Sequence, residues 1–276
     1  MSGIKAASIQ MDCKSNNIKE NLAKAECLLT RAKEQGAGFA VLPELFNVGY
    51  KLEEFKELDY DFNGTLNTLK RISKELGIHI IAGVLEKSDG QYYNTAVIFD
   101  NSGEMIEKYR KINLFPLSNE KEIFVPGNRI KTVNIGGIKL GILICYDIRF
   151  PELSRKYFNN GCSAYAVLSA FPFPRLDHWN IIIKARAIEN QSYVIASNRV
   201  GSDGNMKFVG NSCIIDPWGK VLGILNDTQE DVLVQDIDLN EVAGVRELIP
   251  CNKDKIWLEA VLRQEEPAFA GNKAIE

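Results

Sequence analysis

The sequence predicts an α/β fold in a single domain, and three observations predict it. Short apolar runs such as Ile138, Leu140, Ile142, Leu143 and Ile144 read as strands buried on both faces. Between such runs lie stripes at helical spacing, with Ile18, Leu22, Ala25, Leu29 and Ala32 three or four apart. No linker, internal repeat or low-complexity tract divides the 276 residues. A chain of that length suits one large α/β domain or two small ones, and the lack of a linker favours one.

Taken in order, residues 4–10 read as a strand and the stripe from Ile18 to Ala32 as a helix, stopped by Gly36 and Gly38. Phe39 to Leu42 is a short strand broken by Pro43. Leu66, Leu69, Ile72 and Leu76 mark a second helix, ended by Gly77. Strands follow at 78–85, at 92–99 and, past the Asn101-Ser102-Gly103 turn, at 104–109; the last two are expected to form a hairpin. A loop from Leu117 to Asn128 closes at Pro126-Gly127, and a loop of that length inside a compact domain is uncommon unless functional. Strands at 131–135 and 137–144 lead into a short helix containing Pro151, Leu153 and Tyr157. A strand at 164–169 precedes a helix with Ile181, Ile182, Ala185 and Ile188, which Asp177 is expected to cap. Strands at 193–197, 211–215 and 232–237 complete the set, the last of them followed by a helical segment after Asn240.

Composition narrows the function. The chain is 45% hydrophobic and 25% charged with a formal net charge of -3, ordinary for a globular protein. It has no basic tract, so neither nucleic acid nor an anionic membrane is an expected partner. The start has no signal-peptide layout, and no apolar run approaches the roughly 18 residues of a membrane span. The cytoplasm is therefore the expected compartment. The six cysteines include no C-x-x-C pair, which leaves zinc and thioredoxin-like chemistry without support. Five are expected to be reduced and structural. The only histidines are His79, read as structural, and His178, so few histidine-based triads can be built.

The remaining signal sits at strand ends. Cys145 stands where a buried strand hands over to a helix, near a helix N-terminus whose dipole favours a thiolate. The competing reading is a buried, inert thiol. Glu44 follows a strand end and lies between Pro43 and the apolar pair Leu45 and Phe46; a carboxylate in apolar company is paired or has work to do. Lys111 lies between a strand end and the segment Leu114-Phe115-Pro116, whereas an ordinary lysine is solvated. In α/β sheets chemistry gathers beyond the carboxyl ends of strands. A thiol nucleophile, a carboxylate base and an ammonium for oxyanion charge make a coherent set without histidine.

These residues carry a resemblance to the nitrilase superfamily of carbon–nitrogen hydrolases over roughly the first 250 residues. The matching stretches are Leu42-Pro43-Glu44, Tyr109-Arg110-Lys111, the run from Cys145 to Glu152, the run from Ala185 to Asn190, and Asp216-Pro217-Trp218-Gly219. The resemblance implies a four-layer α-β-β-α sandwich over residues 1–250 and a homodimer or larger homo-oligomer; residues 251–276 read as an irregular C-terminal extension expected in subunit contact. It implies a Glu-Lys-Cys triad of Glu44, Lys111 and Cys145, with Glu120 as the second glutamate and Glu122 its close competitor. No metal or organic cofactor is expected. Many members carry histidine where this chain has Asn113, so a substrate contact there is expected to differ.

Within the superfamily the chain is most similar to omega-amidases, through Phe173-Pro174-Arg175 with His178-Trp179 and the run from Asn198 to Gly204. That resemblance implies hydrolysis of a small amide such as 2-oxoglutaramate to acid and ammonia through a thioester. Glu44 would act as base, with Lys111 and the Tyr146 N–H on the oxyanion. The substrate's distal carboxylate needs a cation. Arg175 is the preferred candidate, Arg149 being read as a salt bridge that holds the turn after the nucleophile. Tyr50 lines the pocket or fills core, and His178 and Trp179 pack or cap the helix. The alternatives are an N-carbamoyl amine hydrolase or a nitrilase and, from another class, a non-catalytic thiol-sensing or binding protein.

Overall fold

The computed structural model describes residues 3–55 and 57–254. The chain opens with β1 (Ile4–Gln10), α1 (Ile18–Glu34) and β2 (Phe39–Val41). Next come α2 (Phe62–Leu76), β3 (His79–Ser88), β4 (Gln91–Phe99), β5 (Met105–Arg110) and the short α3 (Glu120–Ile123). The second half begins with β6 (Thr132–Ile135), β7 (Ile138–Ile144), α4 (Pro151–Asn159), β8 (Ala164–Ser169), α5 (Leu176–Asn190) and β9 (Tyr193–Asn198). A small hairpin of β10 (Ser202–Asp203) and β11 (Met206–Lys207) comes next. The described chain ends with β12 (Cys213–Ile215), β13 (Val221–Ile224), β14 (Asp231–Ile237), α6 (Leu239–Leu248) and α7 (Cys251–Asp254).

Two six-stranded sheets form the centre, ordered β14-β1-β2-β3-β4-β5 and β13-β12-β9-β8-β7-β6. Period-2 alternation places them face to face. Ala6, Phe39, Val41, Ile81, Ala96 and Ile98 point from the first sheet into the core shared with the second. Ala7, Ile9, Ala40, Ile80, Ala82 and Val97, one residue out of phase, pack with Leu28, Leu29, Leu69 and Ile72 of α1 and α2. On the far side of the second sheet, Leu153 and Tyr157 of α4 and Trp179, Ile183 and Ala187 of α5 close the core. Helices therefore cover both outer faces, and the expected four layers are present. Each fully buried aliphatic or aromatic side chain contributes about 1.5–3 kcal/mol to holding them together. Two hydroxyls stitch the sheets at their centre: Ser8 Oγ donates to the Ala196 carbonyl at 2.8 Å, and Ser197 Oγ to that of Ile9 at 2.5 Å.

The strand directions position the site. β1, β2 and β3 run parallel, and β5 runs the same way as β3 because both are antiparallel to β4. In the second sheet β7, β8 and β9 run parallel. Their carboxyl ends gather at one edge of each sheet, where Glu44, Lys111 and Cys145 lie just beyond β2, β5 and β7.

Several expectations need correction. The stretch from Leu117 to Asn128, expected as a loop, contains α3 and the end of a 3-10 turn at Pro116–Ser118. Asp177 does not cap α5 but lies in its first turn, with Arg175 at the cap position. β13 and the β10–β11 hairpin carry little signal in the sequence: the first is a four-residue strand containing Gly223, the second a pair of two-residue strands without apolar alternation. All six cysteines are free; Cys13, Cys162 and Cys213 are buried, while Cys27 and Cys251 are exposed. Among the described residues no helix is long and apolar enough to cross a membrane. The subunit-contact extension expected at 251–276 falls, apart from α7, outside the described residues.

Candidate active site

Glu44, Lys111, Glu120 and Cys145 converge, and all four are buried. Lys111 Nζ donates to Glu44 Oε1 and to Glu120 Oε1, both at 2.7 Å. An ammonium has three N–H donors. Two are committed to carboxylates, and among the described residues the third has no partner. Burial alone would drive the lysine toward neutrality; the charges of Glu120 and Glu44 together outweigh it and hold its pKa above the ordinary lysine value. Burial pushes the Glu120 carboxyl up, opposed by Lys111. Glu122, the competitor on sequence, is exposed.

Each group is fixed by what surrounds it. Glu44 Oε1 also accepts from Asn94 Nδ2 at 2.7 Å, and its Oε2 accepts from the Ala170 N–H at 2.8 Å. The Asn94 carbonyl in turn takes the Lys111 backbone N–H at 2.8 Å, so one residue of β4 sets both partners. The Glu44 turn lies directly on β3 at Gly83, where a Cβ would meet the Pro43 carbonyl oxygen at 2.6 Å. Only glycine allows that approach. Glu120 Oε2 accepts from the Phe115 N–H at 2.8 Å, and its Oε1 also accepts from the Tyr50 hydroxyl. Burial, with the charges of Glu120 and Glu44, raises the Tyr50 pKa well above the ordinary value, so the phenol is a neutral donor.

Cys145 has φ 44°, in the left-handed region that a non-glycine residue adopts at a cost of about 1–3 kcal/mol. The conformation is imposed by Asp147. Its carboxylate accepts from the Ile144 N–H at 3.0 Å, the Asn113 N–H and Asn113 Nδ2 at 2.9 Å, and the Tyr109 hydroxyl at 2.7 Å. Asn113, where many family members are expected to carry histidine, thus braces the turn at Cys145 through Asp147. The thiolate expectation needs correction. Burial, reinforced by the Glu44 charge, pushes the Cys145 thiol above its ordinary pKa, while Lys111 and the Ser169 hydroxyl oppose that rise. Cys145 itself opens a 3-10 turn, Cys145–Arg149, and α4 begins only at Pro151. At rest the sulfur is a thiol, and using it requires a base. Raised thiol pKa values are not peculiar to this cysteine: burial lifts Cys13 and Cys213 to about 12 and Cys162 to about 11. The carboxylate and ammonium beside Cys145 distinguish it.

Cys145 opens into a small, narrow cleft. Its walls include the aromatic residues Tyr50, Phe115, Tyr146 and Phe171, together with Met206 of the β10–β11 hairpin. Arg149 and Arg175 also line it. Neither forms an ion pair among the described residues: Arg149 meets His178 Nδ1 at 3.1 Å and lies 5.4 Å from the Phe171 ring centroid, and Arg175 lies 5.3 Å from that of Phe115. Among the described residues the salt bridge anticipated for Arg149 is absent. His178 meets Arg149, while Trp179 is buried with Nε1 donating to the Asn211 carbonyl at 3.0 Å.

Sequence reasoning brings the charged residues together and misses those that hold them. Asn94 is legible by the test applied to Glu44, as a polar residue inside an apolar strand. Asp147 lies within a matching motif, which assigns it no separate role. The Ala170 and Phe115 N–H groups leave no trace in side-chain identity.

With Glu44→Gln, kcat on an amide substrate is expected to fall by about 10²–10⁴-fold, the usual worth of a positioned base. Because the Glu44 charge raises the Cys145 pKa, its removal should shift the pH profile of iodoacetamide alkylation of Cys145 downward. An upward shift would contradict the assigned coupling.

Comparison with known proteins agrees with this architecture. Residues 5–247 match the family model described as carbon-nitrogen hydrolase. The chain is similar to the 2-oxoglutaramate amidase of Bacillus subtilis (strain 168), with 41% identity over 89% of this chain and 95% of that protein. It is also similar to the omega-amidase NIT2 of Mus musculus, at 35% identity over 92% and 96% of the two chains. An amidase of the nitrilase superfamily from Nesterenkonia sp. AN1 superposes with a TM-score of 0.82 at 28% identity, covering 91% of this chain and 97% of its own. Nit3 of Saccharomyces cerevisiae superposes with a TM-score of 0.85 at 27% identity, over 93% and 97%. With two facing sheets, a buried cysteine at the end of β7 and a family match spanning nearly the whole described chain, the protein belongs to the carbon–nitrogen hydrolase family.

Proposed function

We propose that this protein hydrolyses the terminal amide of a small dicarboxylate monoamide, of the 2-oxoglutaramate or succinamate kind, through a thioester on Cys145. One observation carries the chemistry: a buried thiol beside an ammonium that two carboxylates hold and that, among the described residues, keeps one N–H uncommitted. Cys145 Sγ attacks the amide carbon as Glu44 takes the thiol proton. The third N–H of Lys111 and the Tyr146 N–H receive the oxyanion. The Tyr146 N–H lies in the first turn of a 3-10 segment, where backbone donors lack an intrahelical partner. Glu44 returns the proton to the leaving nitrogen, ammonia departs and the thioester remains. Glu44 then takes a proton from water, the hydroxide adds to the thioester carbon, and collapse releases the acid and restores the thiol. Glu120 fixes Lys111 throughout. The names of the relatives support amide chemistry, and the Nesterenkonia amidase is known after Michael addition of acrylamide at its active-site cysteine.

The distal carboxylate is assigned to Arg175 and Arg149, cations without an ion pair among the described residues in an otherwise apolar cleft. A panel of omega-amides, N-carbamoyl amines and nitriles, read as ammonia release, tests the substrate class. Omega-amides should turn over best. Arg175→Ala should raise KM for an omega-amide acid by about 10–100-fold, the worth of a hydrogen bond to a charged group, and leave a neutral amide such as butyramide unaffected. Preferential turnover of nitriles, or carbon dioxide release from N-carbamoyl compounds, would favour a nitrilase or a carbamoyl hydrolase instead. No turnover of any of them would favour a binding role. We also assign the cytoplasm as compartment and a homodimer or larger assembly. Exposed Ile181 and Ile188 of α5, beside the Asp216–Gly219 turn that carries exposed Trp218, support self-association.

A further inference from the structure

We propose that Asp203 is a positioning residue for the Lys111 ammonium, acting through Tyr50 and Glu120 and held in place by Arg199. The relay is inferred for the amidase proposed above and extends its Lys111–Glu120 pair to Tyr50, Asp203 and Arg199, to which that mechanism gives no role. The segment from Asn198 to Gly204 lies about 150 positions from Tyr50, yet Asp203 Oδ2 accepts the Tyr50 backbone N–H at 2.7 Å. The same oxygen accepts from Arg199 Nη1 at 2.6 Å, and Oδ1 accepts from Ser15 Oγ at 2.5 Å. This is a buried ion pair, with side chains 0% and 4% exposed. Such a pair is weak evidence for stability and better evidence for fixing one geometry.

The surroundings show which geometry is fixed. Arg199 Nη2 donates to the Cys13 carbonyl at 2.7 Å, and its guanidinium lies 4.1 Å from the Phe208 ring centroid. Phe208 meets the Tyr50 ring edge-on at 6.1 Å. Tyr50 is therefore gripped at its backbone by Asp203 and at its ring by Phe208. The preceding residue, Gly49, has φ +77°, and a Cβ there would meet Ser15 Cα at 2.9 Å, so the chain enters Tyr50 along one path. At the end of that path the hydroxyl donates to Glu120 Oε1, the oxygen that also holds Lys111 Nζ. If Tyr50 moves, Glu120 loses a donor and the ammonium loses its aim. Misplacement of a catalytic group by about 1 Å costs on the order of 10²-fold.

The hairpin that carries Asp203 also carries Met206, its strand partner, which lines the cleft. A merely structural role for Asp203 would loosen Met206 and raise KM. The relay lowers kcat instead.

A double-mutant cycle on the full chain separates the two. Asp203→Ala is expected to lower kcat about tenfold with KM within about threefold of wild type. Tyr50→Phe should lower kcat by at least as much. The double variant should lie within about twofold of Tyr50→Phe, because both changes break the same link. Asp203→Asn should recover most of the loss, since its amide oxygen can still accept from Tyr50 and Arg199 while its NH₂ faces Ser15. If Asp203→Ala does not fold by circular dichroism, Asp203→Ser takes its place in the cycle. Additive losses, a change confined to KM, or unchanged kcat would overturn the inference. The rate of Cys145 alkylation by iodoacetamide is measured in parallel, since Lys111 lowers the thiol pKa. Both single variants should slow it, and the double no further. Absence of ammonia release by the wild type would strike the proposed activity alone, and the alkylation cycle would still decide for or against the relay.

Discussion

Lys111→Met is expected to abolish ammonia release and to lower stability by about 3–5 kcal/mol, the cost of breaking a buried charge pair by removing one partner. Methionine fills much of the same volume, so the loss is electrostatic and not a cavity. Glu44 and Glu120 are each almost fully buried. Without the ammonium their charges face each other across the site that it occupied. The loss should depend on pH with a definite sign. Burial already places the folded-state pKa of Glu120 above its unfolded value. The stability such a carboxyl contributes is present below the unfolded value and is lost as pH rises through the folded one. Removing Lys111 removes the charge that held that value down. The stability gap between variant and wild type should therefore be widest at neutral pH and narrow toward acid pH, measured by urea unfolding. A variant as stable as wild type at neutral pH would mean that the three charges do not form the cluster described.

Cys145→Ala should reduce hydrolysis to background while shifting stability by no more than about 1 kcal/mol, as is usual when no large cavity or unpaired charge is created. The thiol's polar neighbours are Glu44, Lys111 and Ser169, and the carboxylate and ammonium keep each other when the sulfur is gone. The left-handed backbone at this position is enforced by Asp147, not by the side chain of Cys145. Alanine can therefore occupy it at no greater strain. Thermal melts of both proteins, set beside ammonia release, check the two halves of this expectation separately.

The contrast between these variants reflects how differently their surroundings are written in the sequence. Glu44, Lys111 and Cys145 are visible because each interrupts an apolar pattern just where a strand ends, and parallel strands share an edge. Glu120 needs the family resemblance; its burial beside Lys111 depends on a short helix inside a segment that reads as loop. The protonation state of Cys145 is misread because a helix dipole can be inferred from sequence, whereas burial depends on how completely two sheets and their loops close over the thiol. Here burial dominates. The bracing role of Asn113 is not legible because its hydrogen bonds reach 34 positions along the chain, to Asp147. The link from Asp203 to Tyr50 is invisible for the same reason. Local patterns mark strands, helices and misplaced charges; they do not show which distant loop supplies the acceptor.

The central claim is that Cys145 carries the acyl group as a thioester, and intact-protein mass spectrometry of an acid-quenched turnover reaction tests it most directly. With an omega-amide acid in excess, wild-type protein should gain the mass of the substrate less ammonia. Peptide mapping should place that mass on Cys145, and the adduct should be absent from Cys145→Ala. Added hydroxylamine should divert the acyl group to a hydroxamate. Full turnover with no adduct and no hydroxamate, with the acyl group on another residue, or by the Cys145→Ala protein would contradict the account.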